Sequence, residues 1–203
     1  SFEQAMGELT RYRRMIRRPN KDDEELPVIF NDYMNCLFGD PTTAKELPLI
    51  DAAAACGCEY YVIDAGWYAP GEWWDSVGEW KECRDRFPNG IKEVTDYIRK
   101  KGMVPGVWLE LEVMGINCEK AKKAPDDWFF VRHGKRVYDR SRYQLDFRNP
   151  AVIEHVNEVI DRVVKEYGVG YIKMDYNIEP GIGTEIGAES VGQGLLEHEK
   201  AYL

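Results

Sequence analysis

The chain contains 203 residues, 44% of them hydrophobic and 31% charged, a composition typical of a water-soluble globular protein with one sizeable core. The formal net charge of −9 disfavours nucleic acid as a partner, because binding to phosphates requires a basic surface. The sequence has no apolar run of about 18 residues and no basic-then-apolar leader, so we expect neither membrane insertion nor an export signal.

The N-terminal part of the chain differs in charge from the rest. Residues 1–26 hold a basic stretch followed by four acids at 22–25, a pattern that predicts a solvated helix and linker. A first strand is predicted near 28–32. The segment Pro41-Thr42-Thr43 then predicts the start of a helix with a threonine as its cap, running to about residue 56.

The next elements continue the alternation of strand and helix. A second strand is predicted near 60–64, and a loop rich in tryptophan follows it over 66–89. A helix is predicted over 91–101, because Gly102 provides a typical C-terminal end signal. The third strand is predicted near 104–110.

The last part of the chain begins irregularly. Residues 112–148 are predicted to be a long connection with a hairpin around 133–135. Apolar residues at helical spacing over 150–167, with Pro150 at the start, predict a helix. The remaining predicted elements are a strand near 170–175, a Gly-rich loop over 180–194 and a helix from residue 195.

This alternation predicts an α/β fold with a parallel sheet and helices outside it. Long loops follow the strands, as they do at the functional face of a β/α barrel. A complete barrel needs eight strands and about 250 residues, whereas about four βα units are visible in this chain. We therefore expect a partial (β/α)8 TIM barrel over residues 27–203, preceded by the helix and linker of residues 1–26.

Each predicted strand ends in a carboxylate: Asp32, Asp64, Glu110 and Asp175. In a β/α barrel such positions surround the active site. Strand alternation places Lys173 on the same side as Asp175, and a nearby cation depresses the pKa of a carboxyl group. An acid of that kind suits a nucleophile or an ionic anchor better than a proton donor.

Two other interpretations of these acids remain open. Taken singly, each acid is explained as a side chain that accepts hydrogen bonds from the backbone amides of the following loop. The four together are compatible with a ring around a divalent cation, although the ammonium of Lys173 opposes one. The five cysteines are scattered and odd in number, which indicates free thiols in a cytoplasmic protein and no metal site.

Six segments resemble the catalytic barrel of glycoside hydrolase family 36, the bacterial α-galactosidases, over roughly residues 26–203. They occur in the family's order and approximate spacing. The segments are 31–35, 64–68, 78–80 together with 87–90, 108–113, 142–147 and 173–177.

The resemblance implies a retaining α-galactosidase that removes terminal α-linked galactose from oligosaccharides without a cofactor or metal. Asp175 matches the catalytic nucleophile, which attacks the anomeric carbon and forms a covalent glycosyl-enzyme that water resolves. The resemblance further implies a set of substrate-binding side chains: Asp64, Trp80, Arg142, Lys173 and Asn177.

The chain departs from the family pattern in three places. Ala65 replaces the second of two acids, and Tyr33 stands where many members have tryptophan. The family's general acid/base is expected beyond Leu203, so the isolated chain is expected to be nearly inactive. Activity towards α-linked N-acetylgalactosamine, galactosyl transfer, and a non-catalytic sugar-binding or structural half barrel remain alternatives. A half barrel also exposes sheet edges, which makes a homo-oligomer possible.

Overall fold

A computed structural model describes residues 1–203 apart from the side chain of Asn35. The helices are α1 (Phe2–Ile16), α2 (Lys21–Glu25), α3 (Thr43–Ala55), α4 (Ile91–Lys100), α5 (Glu119–Lys123), α6 (Pro150–Asp161) and α7 (Val191–Tyr202). The strands are β1 (Ile29–Asn31), β2 (Tyr60–Ile63), β3 (Val104–Leu109), β4 (Val113–Gly115), β5 (Val131–Arg132), β6 (Lys135–Arg136), β7 (Tyr138–Asp139), β8 (Arg142–Gln144) and β9 (Tyr171–Met174). Short 3₁₀ or π-helical turns cover Tyr33–Leu37, Trp73–Asp75, Asp126–Trp128 and Arg162–Glu166.

The main sheet consists of four parallel strands in the order β1-β2-β3-β9. Parallel neighbours need a crossover, which α3 supplies between β1 and β2 and α4 supplies between β2 and β3. A Cβ at Gly106 on β3 would lie 3.0 Å from the side chains of both Val62 and Tyr171, so a larger residue there would require these neighbours to shift by a few tenths of an ångström. The arrangement confirms the predicted partial (β/α)8 barrel.

Three helices pack against this sheet in one core cluster. Ile50 of α3, Ile98 of α4 and Val159 of α6 are fully buried together with strand residues. Each such side chain contributes about 1.5–3 kcal/mol through the removal of apolar surface from water. Thr42 caps α3 by accepting a hydrogen bond from the Lys45 amide, as the sequence predicts.

The connection between β3 and α6 contains more regular structure than the sequence predicts. Strands β4, β8 and β7 form an antiparallel sheet, and β5 pairs with β6 across the predicted hairpin. Arg140 and Ser141, with φ of 45° and 63°, make the left-handed turn between β7 and β8. This turn holds Arg142 beside the end of the main sheet.

The C-terminal helix begins earlier than predicted. Helix α7 starts at Val191, and Ser190 caps it by accepting a hydrogen bond from the Gln193 amide at 3.2 Å. The first turn of α7 contains Gly192 and Gly194, and because glycine disfavours a helix, the sequence predicted a loop there. A Cβ at Gly194 would lie 2.4 Å from the carbonyl oxygen of Thr184, so close packing explains that glycine.

The segment before β1 forms two helices, α1 and α2, in which no residue is buried. Within the described part of the chain, every helix is too short or too polar to span a bilayer.

Candidate active site

The carboxyl ends of β2, β3 and β9 bring three of the four predicted acids to one edge of the sheet. Asp64 follows β2, Glu110 follows β3 and Asp175 follows β9. The amide of Asp175 donates to the Leu109 carbonyl at 2.9 Å, which holds the end of β9 against β3. Asp32 follows β1 but lies buried behind Asp64, whose backbone amide donates to it at 2.8 Å.

Asp64 and Lys173 form an ion pair across β3. The ammonium of Lys173 lies 2.7 Å from Oδ2 of Asp64, and the Asn31 amide group donates to the same oxygen. Oδ1 of Asp64 accepts from the Ala65 amide at 2.9 Å. The Asp64 side chain is buried, whereas 41% of the Lys173 side chain is exposed, so the ammonium is accessible to a ligand.

Asp175 is held ionised chiefly by hydrogen bonds. Its Oδ2 accepts from the indole Nε1 of Trp108 at 2.9 Å, and its Oδ1 accepts from the Tyr176 amide at 2.9 Å. Partial burial raises its pKa. Donation from the Trp108 indole, the neighbouring Asn177 side chain, donation from the Tyr176 backbone and then the charge of Lys173 outweigh burial and place the pKa below the usual range.

The sequence predicted that Lys173 is the group that lowers the pKa of Asp175, and the structure corrects this expectation. Lys173 contributes to the lowered pKa of Asp175, but it is the smallest of these influences and its contact is with Asp64. The reason is the length of the lysine side chain, which reaches across β3 to Asp64 and does not stay beside Asp175 at the end of β9. The strand-end pattern gives no role to Trp108, although that residue lies on β3 two positions before Glu110.

Trp108 belongs to an aromatic cluster that fixes its orientation. Its backbone carbonyl accepts from the Trp67 indole at 3.1 Å, and its ring centroid lies 5.3 Å from that of Trp73. Trp80 packs 5.7 Å from Trp108 and 4.7 Å from Tyr68. Only 2% of Trp80 is exposed, so the structure places this predicted sugar-binding ring behind Trp108.

Glu110 and Arg142 form a buried ion pair below the cleft. Nε of Arg142 lies 2.8 Å from Oε2 of Glu110, and Oε1 accepts from the Asn177 amide at 2.7 Å. Burial raises the pKa of Glu110, while Arg142 and Asn177 act in the opposite direction. The guanidinium of Arg142 also lies 5.0 Å from the Trp73 ring centroid. These contacts anchor the chain directly after Asp175.

A cleft of about 350 Å³ opens beside this pair. Two buried nitrogens, Nη2 of Arg142 and Nδ2 of Asn177, have no hydrogen-bond partner among the described residues. Because a buried donor without an acceptor is costly, these groups suit a polar ligand. The lining residues are Trp73, Trp74, Arg140, Ser141, Arg142 and Asn177.

The arrangement does not favour a metal ring. Asp64 is paired with Lys173 and Glu110 is paired with Arg142, so two of the four acids already face a cation. Among the described residues, no group of three or more histidine, cysteine or acidic side chains has the geometry to hold a metal ion.

A parallel βα sheet with an ionised carboxylate and an acid–ammonium pair at the strand ends is typical of a barrel glycoside hydrolase. The Melibiase family matches the chain over residues 3–200, and the chain therefore belongs to that family. This confirms the resemblance to glycoside hydrolase family 36.

Curated relatives carry the name α-galactosidase. The chain is 30% identical over 183 residues to alpha-galactosidase AgaA of Geobacillus stearothermophilus, covering 89% of this chain and 24% of that protein. It is 29% identical over 178 residues to alpha-galactosidase 1 of Pediococcus pentosaceus, covering 87% of this chain and 24% of that protein. The chain thus spans about a quarter of the length of these relatives.

Solved structures show the same fold. The family 36 α-galactosidase AgaB of Geobacillus stearothermophilus superposes with a TM-score of 0.75 at 26% identity, over 91% of this chain and 25% of that chain. A variant of AgaA from the same organism, solved in complex with stachyose, gives a TM-score of 0.73 at 25% identity. The match covers 91% of this chain and 27% of that chain.

Proposed function

We propose that this chain forms the sugar-binding and nucleophile-bearing part of a retaining α-galactosidase. The observation that carries the proposal is the carboxylate of Asp175, which lies at a strand end and is held ionised by donors from Trp108 and Tyr176. Membership of the Melibiase family and the names of the relatives support the substrate class.

In this mechanism Asp175 attacks the anomeric carbon of an α-linked galactose and forms a covalent glycosyl-enzyme. The attacking oxygen must be unprotonated, which the lowered pKa of Asp175 ensures at neutral pH. The Trp108 indole orients the carboxylate by donating to Oδ2. A water molecule then releases galactose, with net retention of configuration.

Sugar recognition is assigned to two groups of side chains. The Asp64 carboxylate and the accessible Lys173 ammonium offer an acceptor and donors to neighbouring hydroxyls. Arg142 and Asn177 offer the unpartnered nitrogens of the cleft. Trp80 acts through Trp108, against which it packs. Because AgaA structures contain raffinose and stachyose, α-galactosyl oligosaccharides are the proposed substrates.

We assign the general-acid role to none of the described residues. Glu110 has a raised pKa, but it is fully buried against Arg142 and the Asn177 amide. Asp64 is engaged by Lys173, and Asp32 is buried behind it. Protonation of the leaving oxygen by a general acid contributes about 10²–10⁴-fold to the rate of such reactions, so turnover requires a residue in that role.

The test uses the full-length protein and an aryl α-galactoside. Asp175→Ala should abolish turnover while galactose binding persists, and added azide should restore activity by forming an azido-sugar in place of the enzyme ester. Asp161→Ala, at an exposed acid of α6, serves as the matched control and should leave turnover unchanged. Near-normal turnover of Asp175→Ala without azide would remove Asp175 from this role.

We also propose a cytoplasmic location. The five cysteines, including the exposed Cys56, are all free thiols in the structure, which suits a reducing compartment. Detection of the native protein in a periplasmic or extracellular fraction would contradict this proposal.

A further inference from the structure

Two carboxyl groups are buried together behind Asp64. Asp32 follows β1 and is 2% exposed, and Glu46 lies in the first turn of α3 and is 0% exposed. Lys45, which precedes Glu46, contacts Asp40, and Lys173 contacts Asp64. The pair is therefore not neutralised by either of these ammonium groups.

The hydrogen bonds of this pair leave two oxygens unaccounted for. Oδ1 of Asp32 accepts from the backbone amide of Asp64 at 2.8 Å. Oε2 of Glu46 accepts from the hydroxyl of Tyr61 at 2.6 Å. Oδ2 of Asp32 and Oε1 of Glu46 are buried without another donor, and the two carboxyl groups are in hydrogen-bonding contact with each other.

A single proton between Asp32 and Glu46 removes the repulsion between two buried carboxylates and supplies the missing hydrogen-bond donor. Two carboxylates in contact and away from water repel each other, whereas a carboxylic acid donates to a neighbouring carboxylate. Burial and then the charge of Glu46 raise the pKa of Asp32 well above its usual range. Burial also raises the pKa of Glu46, but the hydrogen bond from Asp32 acts against that rise. These influences favour one proton held between the two carboxyl groups, with Asp32 as the donor to Glu46.

We propose that Asp32 and Glu46 share a single proton and that this pair is the positioning element for Asp64 in sugar binding. The relay runs from the Tyr61 hydroxyl to Glu46, from the protonated Asp32 to Glu46, and from the Asp64 amide to Asp32. It fixes the backbone at Asp64 while the Asp64 side chain contacts Lys173. The second half of the proposal rests on the proposed sugar-binding role of Asp64.

Amide substitutions test the number of shared protons. In Asp32→Asn the new amide donates to Glu46 and its oxygen still accepts from Asp64. In Glu46→Gln the new amide donates to Asp32 and its oxygen still accepts from Tyr61. Each single variant keeps one donor between the groups, so its melting temperature and its galactose dissociation constant should stay near wild type, the latter within about twofold.

The double variant should behave differently from either single variant. With both amides present, either two NH₂ groups face each other, or the Tyr61 hydroxyl or the Asp64 backbone amide loses its acceptor. We expect the galactose dissociation constant of the full-length double variant to rise by about fivefold or more, together with a lower melting temperature. If both single variants are as destabilised as the double, or if the melting temperature of the double equals that of wild type, the shared proton is refuted.

Infrared spectroscopy at neutral pH gives a readout that a purely structural role would not produce. Wild type should show the carbonyl band of a buried protonated carboxyl group, and Asp32→Asn should lose it. Asp51→Asn, at an exposed acid on the same helix as Glu46, should retain the band. Absence of a band that Asp32→Asn removes would overturn the assignment of the proton.

The two halves of the proposal fail separately. If the band is present but the double variant binds galactose as wild type does, Asp32 and Glu46 do not position Asp64. If wild type itself binds no galactose, the proposed function fails while the infrared result still decides whether the proton is shared.

Discussion

The hydrogen bond from Trp108 to Asp175 is the contact on which the proposed mechanism depends most directly. Trp108→Phe removes the Nε1 donor from Oδ2 of Asp175 but keeps an aromatic ring in the cluster. The remaining contacts of Asp175, from the Tyr176 amide and from Asn177, stay in place. The substitution therefore isolates one of the influences that lower the pKa of Asp175.

The expected cost follows from the chemistry of this bond. A hydrogen bond to a charged group contributes about 1.5–3 kcal/mol, and solvent screens part of that at a half-buried carboxylate. Taking the lower end, about 1.5 kcal/mol, predicts a fall of roughly tenfold in kcat/KM. The pKa of Asp175 should rise, because burial then acts with less opposition from donors.

The assay is the pH dependence of kcat/KM for an aryl α-galactoside, measured on the full-length protein. The acid side of the profile should report ionisation of Asp175, the proposed nucleophile, in the free enzyme, so it should move to higher pH in Trp108→Phe. Trp74→Phe provides the control, since Trp74 lines the cleft without a hydrogen bond to Asp175 among the described residues. A tenfold fall with no movement of the acid side would refute the electrostatic reasoning.

Two further predictions concern binding and stability. Asp64→Asn should weaken galactose binding by about 1–3 kcal/mol in calorimetry, because the Lys173 ammonium loses its charged partner; unchanged affinity would reduce Asp64 to a structural cap. Burial, and then the charge of Lys120, lower the pKa of His155 to about 4, and the ring nitrogen Nε2 lies 2.8 Å from the Gly78 carbonyl. The unfolded chain takes up a proton below about pH 6.5, so folding stability should fall by up to about 3 kcal/mol between pH 6.5 and 4. Urea melts should show this slope in wild type and a weaker one in His155→Gln; equal slopes would contradict it.

The order of the main strands and helices could be predicted because it depends on local signals. Apolar runs of strand length, Thr42 before α3 and Gly102 after α4 each act within a few residues. The approach of Asp64 and Asp175 was predictable for a related reason, since the carboxyl ends of parallel strands share one edge. The small sheet of β4, β8 and β7 was not, because its strands contain only two or three residues each.

Contacts across strands were harder to predict than positions along them. Alternation correctly placed Lys173 near the site, but the choice between Asp175 and Asp64 depends on how far a lysine reaches across β3. The burial of Trp80 depends on packing against Tyr68 and Trp108, which come from separate parts of the chain. A tryptophan in a loop gives no local sign of whether its ring faces solvent or the core.

Four acids with the same sequence signature have different environments in the folded protein. Asp32 is driven towards its neutral form by burial and a neighbouring acid, and burial raises the pKa of Glu110 in spite of Arg142. Asp64 is committed to Lys173. The pKa of Asp175 is lowered although no cation contacts this carboxylate. The groups that donate hydrogen bonds to it are an indole and a backbone amide, and neither carries a charge. Neutral donors stabilise the carboxylate without a fixed cation that would hold it in an ion pair, which suits the nucleophile role proposed for Asp175.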